Sequence, residues 1–179
     1  MIVDRITDII ARKGADSYLG EVVNMRAHML QAAAQAEDEA ADDELIAAAL
    51  LHDIGHYVSE LGEGSFDHGV DNLHDEAGAA LLAKHFSPRI VDCVRLHVAA
   101  KRYLCATDPD YFSLLSPASV QTLKIQGGPM DAEEVAAFEA EPHYAEAVRV
   151  RRWDEGAKDP DRATPPFAHY VPLLERLAR

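Results

Sequence analysis

Cysteine is nearly absent: Cys93 and Cys105 are the only two among 179 residues. Two cysteines cannot form a disulfide framework, and a chain of this length buries enough surface to do without one. Long apolar runs are missing too. The longest, Leu45 to Leu51, falls far short of the about 18 residues that a membrane span needs. Met1-Ile2-Val3-Asp4-Arg5 shows no basic segment leading into an apolar one, so no signal peptide is expected, and a reducing cytoplasm is the expected compartment. Positive charge is also short, with 17 Lys and Arg against 31 Asp and Glu, a formal net charge of −14. Such a surface repels phosphate backbones and anionic lipids, which argues against nucleic acid or membrane as partners. A small anionic substrate would need a local cluster of cations or helix N-termini. With 48% apolar and 27% charged residues, nothing in the composition marks disorder, collagen or low complexity.

No segment alternates with strand period, and no repeat or linker divides the chain; the apolar spacing is helical almost throughout. Ile2, Ile6, Ile9 and Ile10 predict a first helix ending near Gly14. The pattern Val22, Met25, Met29, Ala33 predicts a second from about Ser17 to Gln35. Asp42 or Asp43 caps a third, whose apolar run ends in Leu50-Leu51-His52-Asp53. Gly55, Gly62, Gly64 and Gly69 then punctuate a loop of about 18 residues, long enough to suggest a functional segment. A fourth helix is predicted from about His74 to His85. Ser87-Pro88 opens a fifth running to about Ala100, and Ser116-Pro117 opens a sixth. Asp131-Ala132-Glu133-Glu134 begins a seventh, and an eighth covers about His143 to Asp154. A proline-rich stretch from Asp159 to Phe167 leads to a short last helix. The expectation is one all-α domain, a helical bundle spanning 1–179, with 155–179 as a C-terminal extension.

What the chain has in quantity is histidine, nine residues that are not scattered. His28 lies between Ala27 and Met29, His97 between Leu96 and Val98, and His52-Asp53 ends the most apolar helix. A single histidine on an apolar face is more often a satisfied core residue. A carboxylate at the end of a buried helix is harder to explain, because its burial costs several kcal/mol unless it is paired or binds a metal. His28, His52, Asp53, His74, His97 and Asp154 together supply four imidazoles and two carboxylates, the donor set for two borderline divalent ions. Adjacent His52 and Asp53 project about 100° apart on a helix, so one can bind terminally while the other bridges. His68 rivals His74, but its flanks Asp67 and Gly69 favour solvent, whereas His74 opens a helix with Ala77, Leu81 and Leu82 on one face. His85, His143 and His169 read as surface or cap residues.

The order His28, His52-Asp53, Asp154 resembles the HD superfamily signature, with His74 and His97 matching the extra ligands of its dinuclear members. Further segments resemble one narrow branch: Tyr18-Leu-Gly-Glu21, HDIGHY from His52, HVAAKRYL from His97, LSPASVQTL from Leu115, IQGGPMD from Ile125 and RRWDE from Arg151. They are similar to the PhnZ-like HD-domain phosphonate oxygenases, related to myo-inositol oxygenase, over roughly Ser17 to Glu155.

The resemblance implies two iron ions, Fe(II) and Fe(III), on His28, His52, Asp53, His74, His97 and Asp154, with Asp53 as bridge. It implies dioxygen as cosubstrate, and a small anionic phosphonate with a cationic nitrogen as substrate. That substrate is 1-hydroxy-2-aminoethylphosphonate or its N-methylated form, cleaved at the carbon–phosphorus bond to glycine or glycine betaine plus phosphate. Phosphonate contacts fall on His56, Lys101, Ser119, Thr122, Gln126 and Arg151. Lys101 follows His97 by four residues and Arg151 precedes Asp154 by three, so each shares a helix face with an expected ligand. Ser119 lies near a helix N-terminus, where N–H groups favour an anion. Tyr18 matches a residue that ligates iron at rest and leaves when substrate binds, and Glu21 one that faces the amino end. That pair suits a primary ammonium or a trimethylammonium, so the methylation state stays open. Asp53, His56 and Tyr18 form the expected catalytic group. The competing reading is a metal-dependent HD phosphohydrolase acting on a nucleotide or small phosphomonoester, and a further one is a regulatory metal-binding module.

Overall fold

Five residues stop the chain from choosing helix boundaries at random. The side chains of Asn24, Asp42, Ser87, Ser116 and Asp131 accept first-turn N–H groups from Ala27, Leu45, Ile90, Ser119 and Glu133 with Glu134. Each satisfies donors that a helix start leaves without a partner. The computed structural model describes residues 1–15, 20–61 and 68–179. Among these it shows nine α-helices and no sheet: α1 Ile2–Lys13, α2 Met25–Asp38, α3 Asp43–Leu51, α4 His74–Leu82, α5 Pro88–Thr107, α6 Pro117–Ile125, α7 Ala132–Glu139, α8 Tyr144–Gly156 and α9 Phe167–Leu177. Short 3-10 turns cover Ile54–Tyr57 and Tyr111–Leu114.

The all-α prediction holds. Two boundaries differ from expectation. The second helix begins at Met25 instead of near Ser17, because Asn24 caps it and Gly20 has a left-handed φ of +76°. Val22, assigned above to the buried face, is therefore in the segment before the helix and 70% exposed. The fifth helix runs on to Thr107, about two turns beyond expectation.

Helices α2, α3, α5 and α8 pack against one another, with α4 laid on α5 and on the Ile54–Tyr57 turn. Their shared core includes Met25, Met29, Leu50, Leu51, Ile54, Phe86, Ile90, Val94, Val150 and Trp153, and it extends to Ile6 of α1 and Leu174 of α9. Along α5 one stripe carries Ile90, Cys93 and Val94 into this core and continues through His97 and Lys101 to Leu104, all buried. A neighbouring stripe, Leu96 and Ala100, builds a second small core with Phe138 and Ala147. One helix thus serves both cores and points its middle at the space between α2, α3 and α8.

Two motifs have structural duties. A Cβ on Gly55 would lie 1.7 Å from the carbonyl oxygen of His74, so only glycine lets α4 begin against the Ile54–Tyr57 turn. Gly127 and Gly128 both have positive φ, and Arg102 clamps that turn by donating to Gly128 O at 2.8 Å and pairing with Glu134 at 2.7 Å. The Lys-Arg-Tyr run therefore divides its work: Lys101 points inward, while Arg102 holds the turn after α6.

Candidate metal centre

Five elements deliver six side chains to one buried place. His28 comes from the first turn of α2, His52 and Asp53 from the end of α3, His74 from the start of α4, His97 from mid-α5 and Asp154 from α8. All six are buried. They form two groups, His28 with His52 and Asp154, and Asp53 with His74 and His97, each with donor atoms within 4.8 Å of one another.

The four imidazoles are held from behind. Nδ1 of His28 donates to Ala157 O at 2.9 Å, that of His52 to Ala49 O at 2.7 Å and that of His97 to Val94 O at 2.7 Å. Nδ1 of His74 donates to Asn72 Oδ1 at 2.8 Å. A carbonyl can only accept, so each Nδ1 carries the proton and each Nε2 presents a lone pair to the centre. Those lone pairs meet face to face: Nε2 atoms lie 3.1 Å apart in the pair His28–His52 and again in His74–His97. Two bare nitrogens at that distance repel unless a cation lies between them and a carboxylate.

Asp53 spans the groups. Its Oδ2 lies 3.3 Å from Nε2 of both His28 and His52, and its Oδ1 lies 3.3 Å from His97 Nε2 and 3.5 Å from His74 Nε2. Asp154 Oδ1 closes the first group, 3.2 Å from His28 Nε2. Asp53 Oδ2 and Asp154 Oδ1 are both buried without a hydrogen-bond partner. Buried carboxylate oxygens left in that state cost several kcal/mol unless a cation takes them. The residues present fit a pair of metal ions. The proton affinities agree in sign. Burial opposes charging of His28, yet the carboxylates of Asp154 and Asp53 raise its pKa to about 9, so its Nε2 lone pair draws a cation, whether a proton or a metal ion. Burial also works against Asp53, and the surrounding imidazoles hold it well below the usual carboxylate range.

Beside the histidines lies a cationic half. Lys101 is buried and donates to Thr122 Oγ1 at 2.8 Å. Burial, then the nearby Arg151, push its pKa down to about 7. Arg151 is buried too, bonded to Asp154 Oδ2 and Glu155 Oε2 and donating Nε–H to Tyr111 Oη at 2.7 Å. Ser119 donates to Glu155 at 3.2 Å and accepts from Lys158 at 2.9 Å. Lys158 reaches Glu155 at 3.0 Å and Glu21 at 3.2 Å, and Ser116 also donates to Glu21. Glu21 is thus brought to this half, not from a helix as expected but from the segment that precedes α2. Gln126 stands at the end of α6 and donates to Asp71 at 3.3 Å, leaving Oε1 buried and unpaired. His56 is buried on the Ile54–Tyr57 turn, its Nε2 3.7 Å from Asp53 Oδ1. Tyr18 lies outside the described residues. His68 is exposed, His143 precedes α8 and bonds Asp92 at 2.8 Å, and His169 bonds Glu37 at 3.0 Å, all away from the centre.

Sequence reasoning missed Asn72, Glu155 as a site residue, Lys158 and Tyr111. Gln31 was missed as well; it bonds both N and O of Asp159, at 3.1 and 2.7 Å, and so sets the strand of chain that carries Ala157 and Lys158. A buried glutamine at α2 position 31, one turn after His28, was the available signal.

A bundle of helices holding paired histidine–aspartate groups around a shared aspartate defines the class, and the chain belongs to the HD domain family, which it matches over residues 25–155. Among curated proteins it is 52% identical over 176 residues to a 1-hydroxy-2-(trimethylamino)ethylphosphonate dioxygenase, glycine-betaine-forming, of Leisingera caerulea, covering 98% of this chain and 90% of that one. It is 40% identical over 175 residues to a hydroxymethylphosphonate dioxygenase of Gimesia maris, covering 96% and 87%. An uncharacterized protein of Acanthamoeba polyphaga mimivirus is 34% identical over 176 residues, covering 96% and 80%. No helix among the described residues is long and apolar enough to cross a membrane.

Proposed function

We propose that this chain is a di-iron oxygenase that cleaves the carbon–phosphorus bond of 1-hydroxy-2-(trimethylammonio)ethylphosphonate, giving glycine betaine and phosphate. The overall change balances as RCH(OH)PO3H2 plus O2 going to RCOOH plus H3PO4, a four-electron oxidation of the hydroxyl-bearing carbon. The observation that carries the reading is Asp53, whose two oxygens face two separate groups of ligand atoms. A cationic half lies next to them inside a protein of net charge −14. The trimethylated substrate is preferred because the Leisingera relative, 52% identical, is named for it.

Two irons, Fe(II) and Fe(III), would be held by His28, His52 and Asp154 on one side and by Asp53, His74 and His97 on the other. When bound they supply binding and reduction of dioxygen and polarise the substrate hydroxyl. The chain's own residues do the rest. Lys101, Ser119, Thr122, Gln126 and Arg151 neutralise and orient the phosphonate by charge-assisted hydrogen bonds. His56 adds a neutral donor at the same end, since burial lowers its pKa to about 4. Glu21 faces the cationic nitrogen. By the family resemblance, Tyr18 would occupy the open metal position until substrate binds. We read the whole of 1–179 as one HD domain in which the 155–179 extension supplies Ala157 and Lys158 to the site.

The test is aerobic turnover of iron-loaded protein with this phosphonate, reading dioxygen uptake and phosphate release together. Uptake equal to release, absent under anaerobic conditions and absent with manganese alone, supports the oxygenase. Phosphate released from a phosphomonoester or nucleotide without dioxygen, equally with manganese, would establish the phosphohydrolase instead.

A further inference from the structure

His56 and His74 are stacked, ring centroids 3.9 Å apart and planes 19° from parallel. Their Nε2 atoms lie 3.7 and 3.5 Å from the same oxygen, Asp53 Oδ1. Position alone does not say why one ring should hold metal and the other should not. Asn72 distinguishes them.

Asn72 is wholly buried, two residues before α4 begins. The backbone N–H of His74 donates to Asn72 Oδ1 at 3.2 Å. A backbone nitrogen can only donate, so the amide orientation is fixed: oxygen toward His74, nitrogen away. The same Oδ1 accepts from His74 Nδ1 at 2.8 Å, which leaves a lone pair on His74 Nε2. The amide nitrogen then stands 3.1 Å from His56 Nδ1. An amide nitrogen cannot accept, so His56 Nδ1 must be the bare nitrogen and its proton sits on Nε2. One asparagine thereby holds two stacked neutral rings in opposite tautomers.

We propose that Asn72 is a positioning residue that assigns the two roles, making His74 a ligand through Nε2 and making His56 a hydrogen-bond donor through Nε2–H toward the phosphonate. The role of His56 rests on the function proposed above; the tautomers do not. The same arrangement keeps His56 from capturing a metal ion, since a protonated Nε2 has no lone pair to offer.

The test is nitrogen-15 imidazole spectroscopy of the zinc-loaded protein, which is free of iron's paramagnetism. In the native protein, His56 should show a protonated Nε2 and a bare Nδ1, the reverse of His74. In Asn72→Asp the donor to His56 Nδ1 becomes an acceptor, so the proton should appear on His56 Nδ1 while two metals per chain remain. With iron and the phosphonate, Asn72→Asp should raise KM about tenfold, the equivalent of one lost hydrogen bond. In a His56→Ala background the same substitution should leave KM unchanged. A native His56 carrying its proton on Nδ1 would overturn the proposal, whether or not the variant folds. Equal KM effects with and without His56 would overturn it too, by showing that Asn72 acts elsewhere. If the tautomers are as stated but the phosphonate is not turned over, the functional reading fails and the tautomer assignment stands.

Discussion

The two halves of the buried site are held in different ways. In the histidine half, every imidazole is anchored from behind by an oxygen, three of them backbone carbonyls of Ala49, Val94 and Ala157. Their inward Nε2 atoms meet one another in pairs and face the carboxylates of Asp53 and Asp154. In the cationic half, Arg151, Glu155, Lys158, Ser119 and Glu21 satisfy one another through side chains. The first half is preset by backbone carbonyls behind three of its four imidazoles. The second is a closed network of opposite charges, which on the function proposed above a phosphonate would enter by exchanging partners. On that reading, metal affinity would follow from the fold, and substrate affinity from a balance between Glu155 and the incoming anion.

The largest expected effect breaks the first half at its shared residue. Asp53→Ala should abolish paired metal binding and turnover, because Asp53 Oδ2 lies 3.3 Å from His28 and His52 while its Oδ1 lies 3.3 Å from His97 and 3.5 Å from His74. Metal analysis reads this directly, and two metals with normal turnover would refute the assignment. Gly55→Ala should come next. The added Cβ collides with His74 O, so stability should fall by about 1–3 kcal/mol in denaturant titration. Metal should be lost first from the group containing His74.

Lys101 and Arg151 separate the halves. Lys101→Met should leave metal content intact and raise KM by about 10–150-fold, from loss of about 1.5–3 kcal/mol. From sequence spacing both cations would be expected to act on substrate alone. The structure bonds Arg151 to Asp154 Oδ2 directly, so Arg151→Met should weaken metal binding as well. Identical metal content in both variants would show the halves to be independent.

The smallest effect is in pH. Lys101 is charged below its pKa of about 7 in the free protein and loses its proton above it. Phosphonate affinity should therefore be full on the acid side and weaken as pH rises through that value. Lys101→Arg should flatten the profile. A KM that improves with rising pH in the native protein would mean Lys101 does not face the anion.

How much of this was legible follows from the range of each interaction. His28, His52-Asp53 and His97 stand out because they interrupt apolar helix segments, Asp154 because it completes the family's His…His-Asp…Asp order, and helical phasing places Lys101 beside His97 from sequence alone. At the third helix the structure settles on Asp42 over Asp43, while caps at Ser87, Ser116 and Asp131 are local and read correctly. The start of α2 did not, because Ser17 offers the same cap chemistry as Asn24 and periodicity alone cannot rank them. Asn72, Lys158 and Tyr111 were illegible for a different reason. Their partners lie up to 137 positions away, as for Lys158 and Glu21, and no spacing rule links residues across separate elements. Gly55 was visible as a glycine, but its purpose required knowing that α4 begins against it.

The central claim is that two ions share Asp53. Electron paramagnetic resonance of the half-oxidised, iron-loaded protein tests it most directly. A spin-doublet signal from an antiferromagnetically coupled Fe(II)/Fe(III) pair, lost in Asp53→Ala, is the predicted result. A signal of isolated high-spin Fe(III), unchanged in that variant, would contradict it.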